Sequence, residues 1–124
     1  MSFDDAKAIQ GTWLPVSAIL GGQAMPEGVV KSISLELAAG KYHVLVGTAP
    51  DDGTYTLDAK AEPKSITVTG TVGPNAGKTY PSIYELKGDT LRICYDLSGA
   101  QRPTTFASPA GTKLYLVTYA RKKS

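Results

Sequence analysis

From about Ser32 to Tyr95 the apolar residues alternate with polar ones instead of recurring at helical spacing, and turn formers cut the pattern into short pieces. A period of two puts successive side chains on opposite faces of a strand, so this alternation commits the chain to β-structure with one buried and one wet face. Eight strands can be read: Gly11–Leu20, Ser32–Leu37, Lys41–Val46, Thr54–Asp58, Ser65–Thr71, Tyr80–Leu86, Thr90–Tyr95 and Lys113–Arg121. In the second, Ile33, Leu35 and Leu37 oppose Ser32, Ser34 and Glu36; in the third, Tyr42, Val44 and Val46 share a face. Tyr55 and Leu57 mark the inner face of the fourth, and Ile66 and Val68 that of the fifth. Between Val46 and Thr54, Asp51-Asp52-Gly53 after Pro50 reads as a turn.

One hairpin is specific enough to fix a register. Gly88-Asp89 suits a two-residue turn with glycine first. It sets Leu86 opposite Leu91, Tyr84 opposite Ile93 and Ser82 opposite Tyr95 on the inner face, with Glu85 against Arg92 and Ile83 against Cys94 outside. Near residues 25–30, Pro26 can open one short helical turn and Gly28 argues against a longer one.

The expected fold class is therefore all-β: an eight-stranded antiparallel up-and-down barrel with at most that one helical turn. Closure removes both sheet edges, and mostly short connections after the second strand favour it over a Greek-key sandwich. At 124 residues the chain fits one domain. We read residues 1–8 as an N-terminal extension, 9–121 as the barrel and 122–124 as a basic tail.

Composition excludes several classes of function. Thirteen Lys and Arg against eleven Asp and Glu leave +2, and the dense run Arg121-Lys122-Lys123 is short, so no nucleic-acid footprint is expected. Cys94 is the single cysteine, which rules out an intrachain disulfide and a Cys-rich zinc site. The N-terminus lacks the apolar core of a secretion signal and no run approaches a membrane span, so the expectation is a cytoplasmic protein with no membrane partner.

Gly11-Thr12-Trp13 at the head of the first strand resembles the Gly-x-Trp signature of lipocalins. In that superfamily the tryptophan plugs the closed end of the barrel and an arginine near the end of the last strand covers it. Arg121 stands in that place. A guanidinium over an indole gains a cation–π contact and shields the ring from water. The stretches IQGTWLPVSA, GPNAGKTYPSIYELKGDTLRICYD and RPTTFASPAGTKLYLV, from about Ile9 to Arg121, further resemble a family of uncharacterised bacterial lipocalin-like domains. What this resemblance implies is a calycin-type barrel of unknown function, with Trp13 and Arg121 as its structural plug.

Few residue groups carry chemistry. Gly73-Pro74-Asn75-Ala76-Gly77-Lys78-Thr79 fails as a phosphate loop because three residues, not four, separate Gly73 from Gly77, and Pro74 removes an amide donor. It reads as a turn. His43 is the only histidine and by alternation faces solvent; Cys94 has no arranged partner; Asp51-Asp52 lacks the further oxygens of a calcium loop. No catalytic residue, metal site or cofactor is assigned.

The expected site is the barrel interior. Tyr42, Val44, Tyr55, Leu57, Tyr84, Ile93 and Tyr95 fall on inner faces, and an apolar barrel with several hydroxyls has the make-up of a ligand cavity, although such residues also fill small barrels. Arg102, beside Pro103, and Phe106 lie in the long loop before the last strand, where the arginine can either meet a ligand's anionic group at the mouth or anchor the loop. The leading expectation is a binding module for a small apolar or aromatic ligand. The alternative is a filled barrel acting as an interaction domain or homodimer through Val117, Tyr119 and Ile83. An enzyme has the least support.

Overall fold

The computed structural model describes residues 5–58, 60–61, 63–73 and 75–122. The first four residues of the expected extension, Pro74, and the last two of the basic tail lie outside the described residues. The elements run α1 (Asp5–Ala8), β1 (Gly11–Leu20), β2 (Gln23–Ala24), α2 (Glu27–Lys31), β3 (Ile33–Ala38), β4 (Lys41–Val46), β5 (Ala49–Asp58), β6 (Ser65–Val72), β7 (Thr79–Lys87), β8 (Thr90–Asp96) and β9 (Leu114–Arg121). From β3 to β9 each strand pairs antiparallel with the next, β1 pairs with β3, and β9 returns to β1 from Trp13↔Arg121 to Leu20↔Tyr115. The result is a closed eight-stranded barrel, with β2 a two-residue appendage on the end of β1. The β7–β8 register is the one the Gly88-Asp89 turn sets, pair for pair from Ser82↔Tyr95 to Leu86↔Leu91. α2 supplies the short helix expected after Pro26.

One end of the barrel is solid. Trp13 is fully buried and its indole N–H donates to the Ile9 carbonyl at 2.9 Å. The Arg121 guanidinium lies 4.3 Å from the ring centre and spends its donors on Gln10 O (2.7 Å), Ala8 O (2.6 Å) and the Asp89 carboxylate (3.1 Å). Gly11 is what lets this happen: a Cβ there would stand 2.8 Å from an Arg121 nitrogen, and its φ of +135° suits glycine. α1 belongs to the same end, although the sequence reads as an extension there. Asp5, buried, accepts a hydrogen bond from the Tyr84 hydroxyl (2.7 Å) and an ion pair from Lys64 (3.0 Å), tying the start of the chain to β7 and to the approach to β6.

Three further expectations are corrected. Pro50, Asp51 and Asp52 are not a turn but the start of β5, pairing with Leu45, Val44 and His43. Proline is tolerated because the β5–β6 ladder ends at Asp52↔Val72, leaving Pro50 without a ladder partner on that side. Val117 and Tyr119 point into the barrel and are buried, so they form no exposed patch. Ile83 is also buried, on the outer face of β7 beside Cys94, in the region that the 97–113 loop reaches through Arg102 and Ala107.

Candidate ligand-binding cavity

At the end opposite Trp13 the inward side chains of β3–β9 do not meet, and they enclose a cavity of about 170 Å³. Seven of its lining residues are aliphatic, Ile33, Leu35, Leu37, Val44, Ile66, Val68 and Ile93. Five are phenolic, Tyr42, Tyr80, Tyr95, Tyr115 and Tyr119, and Asp51 and Asn75 are polar. Val46 and Leu97 line it while staying 47% and 37% exposed, which places its mouth among the β4–β5 turn and the segment after β8.

The polar wall is built by chain geometry far apart in sequence. Asp51 faces inward because it opposes Val44 in the β4–β5 ladder. Asn75 reaches it because the β6–β7 connection folds back at Gly70, where a Cβ would lie 2.0 Å from the Asn75 carbonyl oxygen. The Gly70 N–H donates to Lys78 O and its carbonyl accepts from Gly77 N–H, both at 2.9 Å, which holds the fold-back. The Asn75 amide then donates to Asp51 Oδ2 at 2.7 Å, and its carbonyl oxygen accepts the Tyr80 hydroxyl at 2.7 Å. The other Asp51 oxygen is buried with no hydrogen-bond partner among the described residues. Gly53 serves the same wall, since any side chain there would run into the Tyr42 ring at about 2.5 Å.

Across the cavity the Tyr95 and Tyr119 hydroxyls share a hydrogen bond at 3.0 Å, and Tyr95 stacks on Tyr115 with ring centres 5.8 Å apart. Burial raises the Tyr42 pKa to about 12, with the Asp51 charge adding to the shift. Burial likewise raises Tyr80, Tyr95, Tyr115 and Tyr119 above the ordinary phenol value. The phenols are thus hydrogen-bond donors and ring surfaces, not bases.

Of the residues singled out from sequence, the structure brings Tyr42, Val44, Ile93 and Tyr95 together on this cavity. Tyr55, Leu57 and Tyr84 pack in the core outside its lining, Tyr84 being the partner of Asp5. Arg102 and Phe106 do not reach the mouth. Arg102 lies across β6 and β7, donating to Ile66 O (3.2 Å), Ser82 O (2.6 Å) and the Thr67 hydroxyl (2.8 Å), and Phe106 covers the Arg92 guanidinium at 4.3 Å. Both therefore hold the 97–113 loop against the outer wall. Asn75, Tyr80 and Tyr115 have no role in the sequence reading, which takes Asp51 as a turn residue and Tyr119 as part of an exposed patch; the alternation that could have placed Tyr80 inside is its shared face with Ser82 and Tyr84.

His43 is exposed and bonded to Asp52, and Cys94 is buried, its thiol pKa pushed up by burial; three strands separate β4 from β8 in either direction around the barrel. Among the described residues no three His, Cys, Asp or Glu side chains gather as metal ligands, and no helix is long and apolar enough to cross a membrane.

No family model matches the chain, and neither does any curated protein. It is similar in structure to a DUF4847 family protein from Bacteroides vulgatus. The likeness has a TM-score of 0.58 at 14% identity and covers 94% of this chain and 96% of that one. At that identity it speaks for the fold, over nearly the full length of both chains.

Proposed function

We propose that this barrel is a binding module that holds one small, mostly apolar ligand of about one ring at its open end. The observation that carries the reading is the cavity itself, a largely apolar pocket with a few polar groups among its lining. An apolar cavity of about 150 Å³ accommodates benzene, which sets the scale of the ligand. The finer placement among lipocalin-like domains rests on Gly11, Trp13 and the Arg121 side chain across the indole.

Titration with single-ring compounds, followed by NMR of the cavity methyls of Val44 and Ile93, tests this. Saturable shifts are expected in the wild type, and none in Val44→Trp, whose side chain fills the space while the amide spectrum stays dispersed. Ring binding that survives Val44→Trp, or the absence of any saturable shift, would overturn the reading.

A further inference from the structure

The charge on the cavity wall is one-sided. Of the sixteen residues lining the cavity, Asp51 alone is acidic and none is Lys, Arg or His. The ion pairs found among the described residues do not include Asp51. Its carboxylate is held in place, not neutralised: Asn75 donates to Oδ2 at 2.7 Å and is itself oriented by the Tyr80 hydroxyl at 2.7 Å. A carboxylate has room for about four hydrogen-bond donors. Here one is supplied, and Oδ1 is buried with no partner among the described residues. An acceptor left in that state is unfavourable unless something brings it a donor.

The remaining walls favour a positive donor over a neutral one. Five tyrosine rings border the space, with Tyr95 and Tyr115 stacked and the Tyr42 ring laid over Gly53. The faces of such rings attract cations, most strongly where water is excluded. Three of the five hydroxyls, those of Tyr80, Tyr95 and Tyr119, are engaged with Asn75 and with each other, and an anion would face the Asp51 carboxylate with no cationic side chain in the lining to offset it. We infer that the cavity selects a small organic cation, an amine on a single ring, with Asp51 as its counter-ion and the tyrosine rings as its cage. This rests on the binding-module reading and adds the charge of the ligand to it.

Three probes of one size and different charge separate the two statements: benzylamine, benzyl alcohol and benzoate, titrated into the whole chain at neutral pH with the Val44 and Ile93 methyls as reporters. Benzylamine is expected to bind at least about ten-fold more tightly than benzyl alcohol, and benzoate more weakly than either. In Asp51→Asn that advantage is expected to vanish while benzyl alcohol binds within about three-fold of its wild-type affinity, which also shows that the variant is folded. Equal binding of amine and alcohol, tighter binding of benzoate, or an amine preference that survives Asp51→Asn would overturn the inference and leave the cavity reading standing. If none of the three probes moves the methyls, both fall.

Discussion

Each end of this barrel holds an aspartate, Asp5 buried and Asp51 half-buried, and the two are partnered differently. At the closed end Asp5 meets the Tyr84 hydroxyl and the Lys64 ammonium, beside a tryptophan whose N–H is bonded and an arginine that donates from each of its three nitrogens. At the open end Asp51 has one oxygen held by Asn75 and the other buried with no partner among the described residues, beside a cavity. A buried carboxylate with a cation and a hydroxyl on it favours stability; an unfilled acceptor beside empty space favours binding. The comparison teaches that this fold keeps its stability and its recognition at separate poles, and it can be broken by substitution at either.

The largest effect is expected at the plug. Trp13→Ala should remove about 3–5 kcal/mol of unfolding free energy in urea, because it deletes a fully buried indole and leaves Arg121 over a void. Val44→Ala, on a wall that already borders a cavity, should lose about 1 kcal/mol. Equal losses at the two sites would erase the distinction between the poles.

Next comes Asp5. Burial works to raise its pKa, but the hydrogen bonds from Tyr84 and Lys64 and the Lys64 charge outweigh it, and the folded value lies below 3.8. A carboxylate lowered by folding contributes stability that is fully present above its unfolded pKa and is lost as pH falls through the folded value. Asp5→Asn should therefore destabilise by about 2 kcal/mol at pH 7, measured in urea, with the gap from wild type closing below pH 3.8. A gap that does not narrow in acid would mean the Asp5 charge plays no part in closing this end.

A smaller effect is expected from Arg121→Lys. Lysine keeps the charge but cannot reach Ala8 O, Gln10 O and Asp89 together from a planar fork, so about 1 kcal/mol should be lost by the same measurement. No loss would reduce the guanidinium to a solvated cover.

The closed end was legible in the sequence because its signals are local or rest on a known signature: Gly11, Trp13 and Arg121 could be named, and the Gly88 turn fixed the β7–β8 register. The open end was not, for physical reasons. Pro50 and the two aspartates after it have turn chemistry, yet the ladder from β4 carries them as strand, and only that pairing turns Asp51 inward. The Asp51–Asn75 bond spans 24 residues and depends on a backbone fold-back at Gly70 that no periodicity announces. Arg102 misled in the other direction: a loop arginine beside a barrel has two faces to choose from, and backbone carbonyls at Ile66 and Ser82 decided for the outside. Asp5 lay in a stretch with no strand pattern, and its role exists only once Tyr84 and Lys64 have been brought to it from 79 and 59 residues away.

The smallest effect is the one that sharpens the comparison most. Asp51→Asn removes a carboxylate that the fold leaves half satisfied, and replaces its buried, unpartnered acceptor with an amide of the same shape. Where a charged group is kept for binding, its loss relieves the fold instead of damaging it. The expected result is an unfolding free energy equal to wild type or higher by up to about 1 kcal/mol, against a clear loss for Asp5→Asn under the same conditions. The substitutions are chemically identical and both sites are carboxylates that accept a side-chain hydrogen bond at 2.7 Å, so composition cannot explain a difference in sign. If Asp51→Asn instead destabilises as much as Asp5→Asn, the open-end aspartate is structural, and the cavity loses the group that gives it a charge preference.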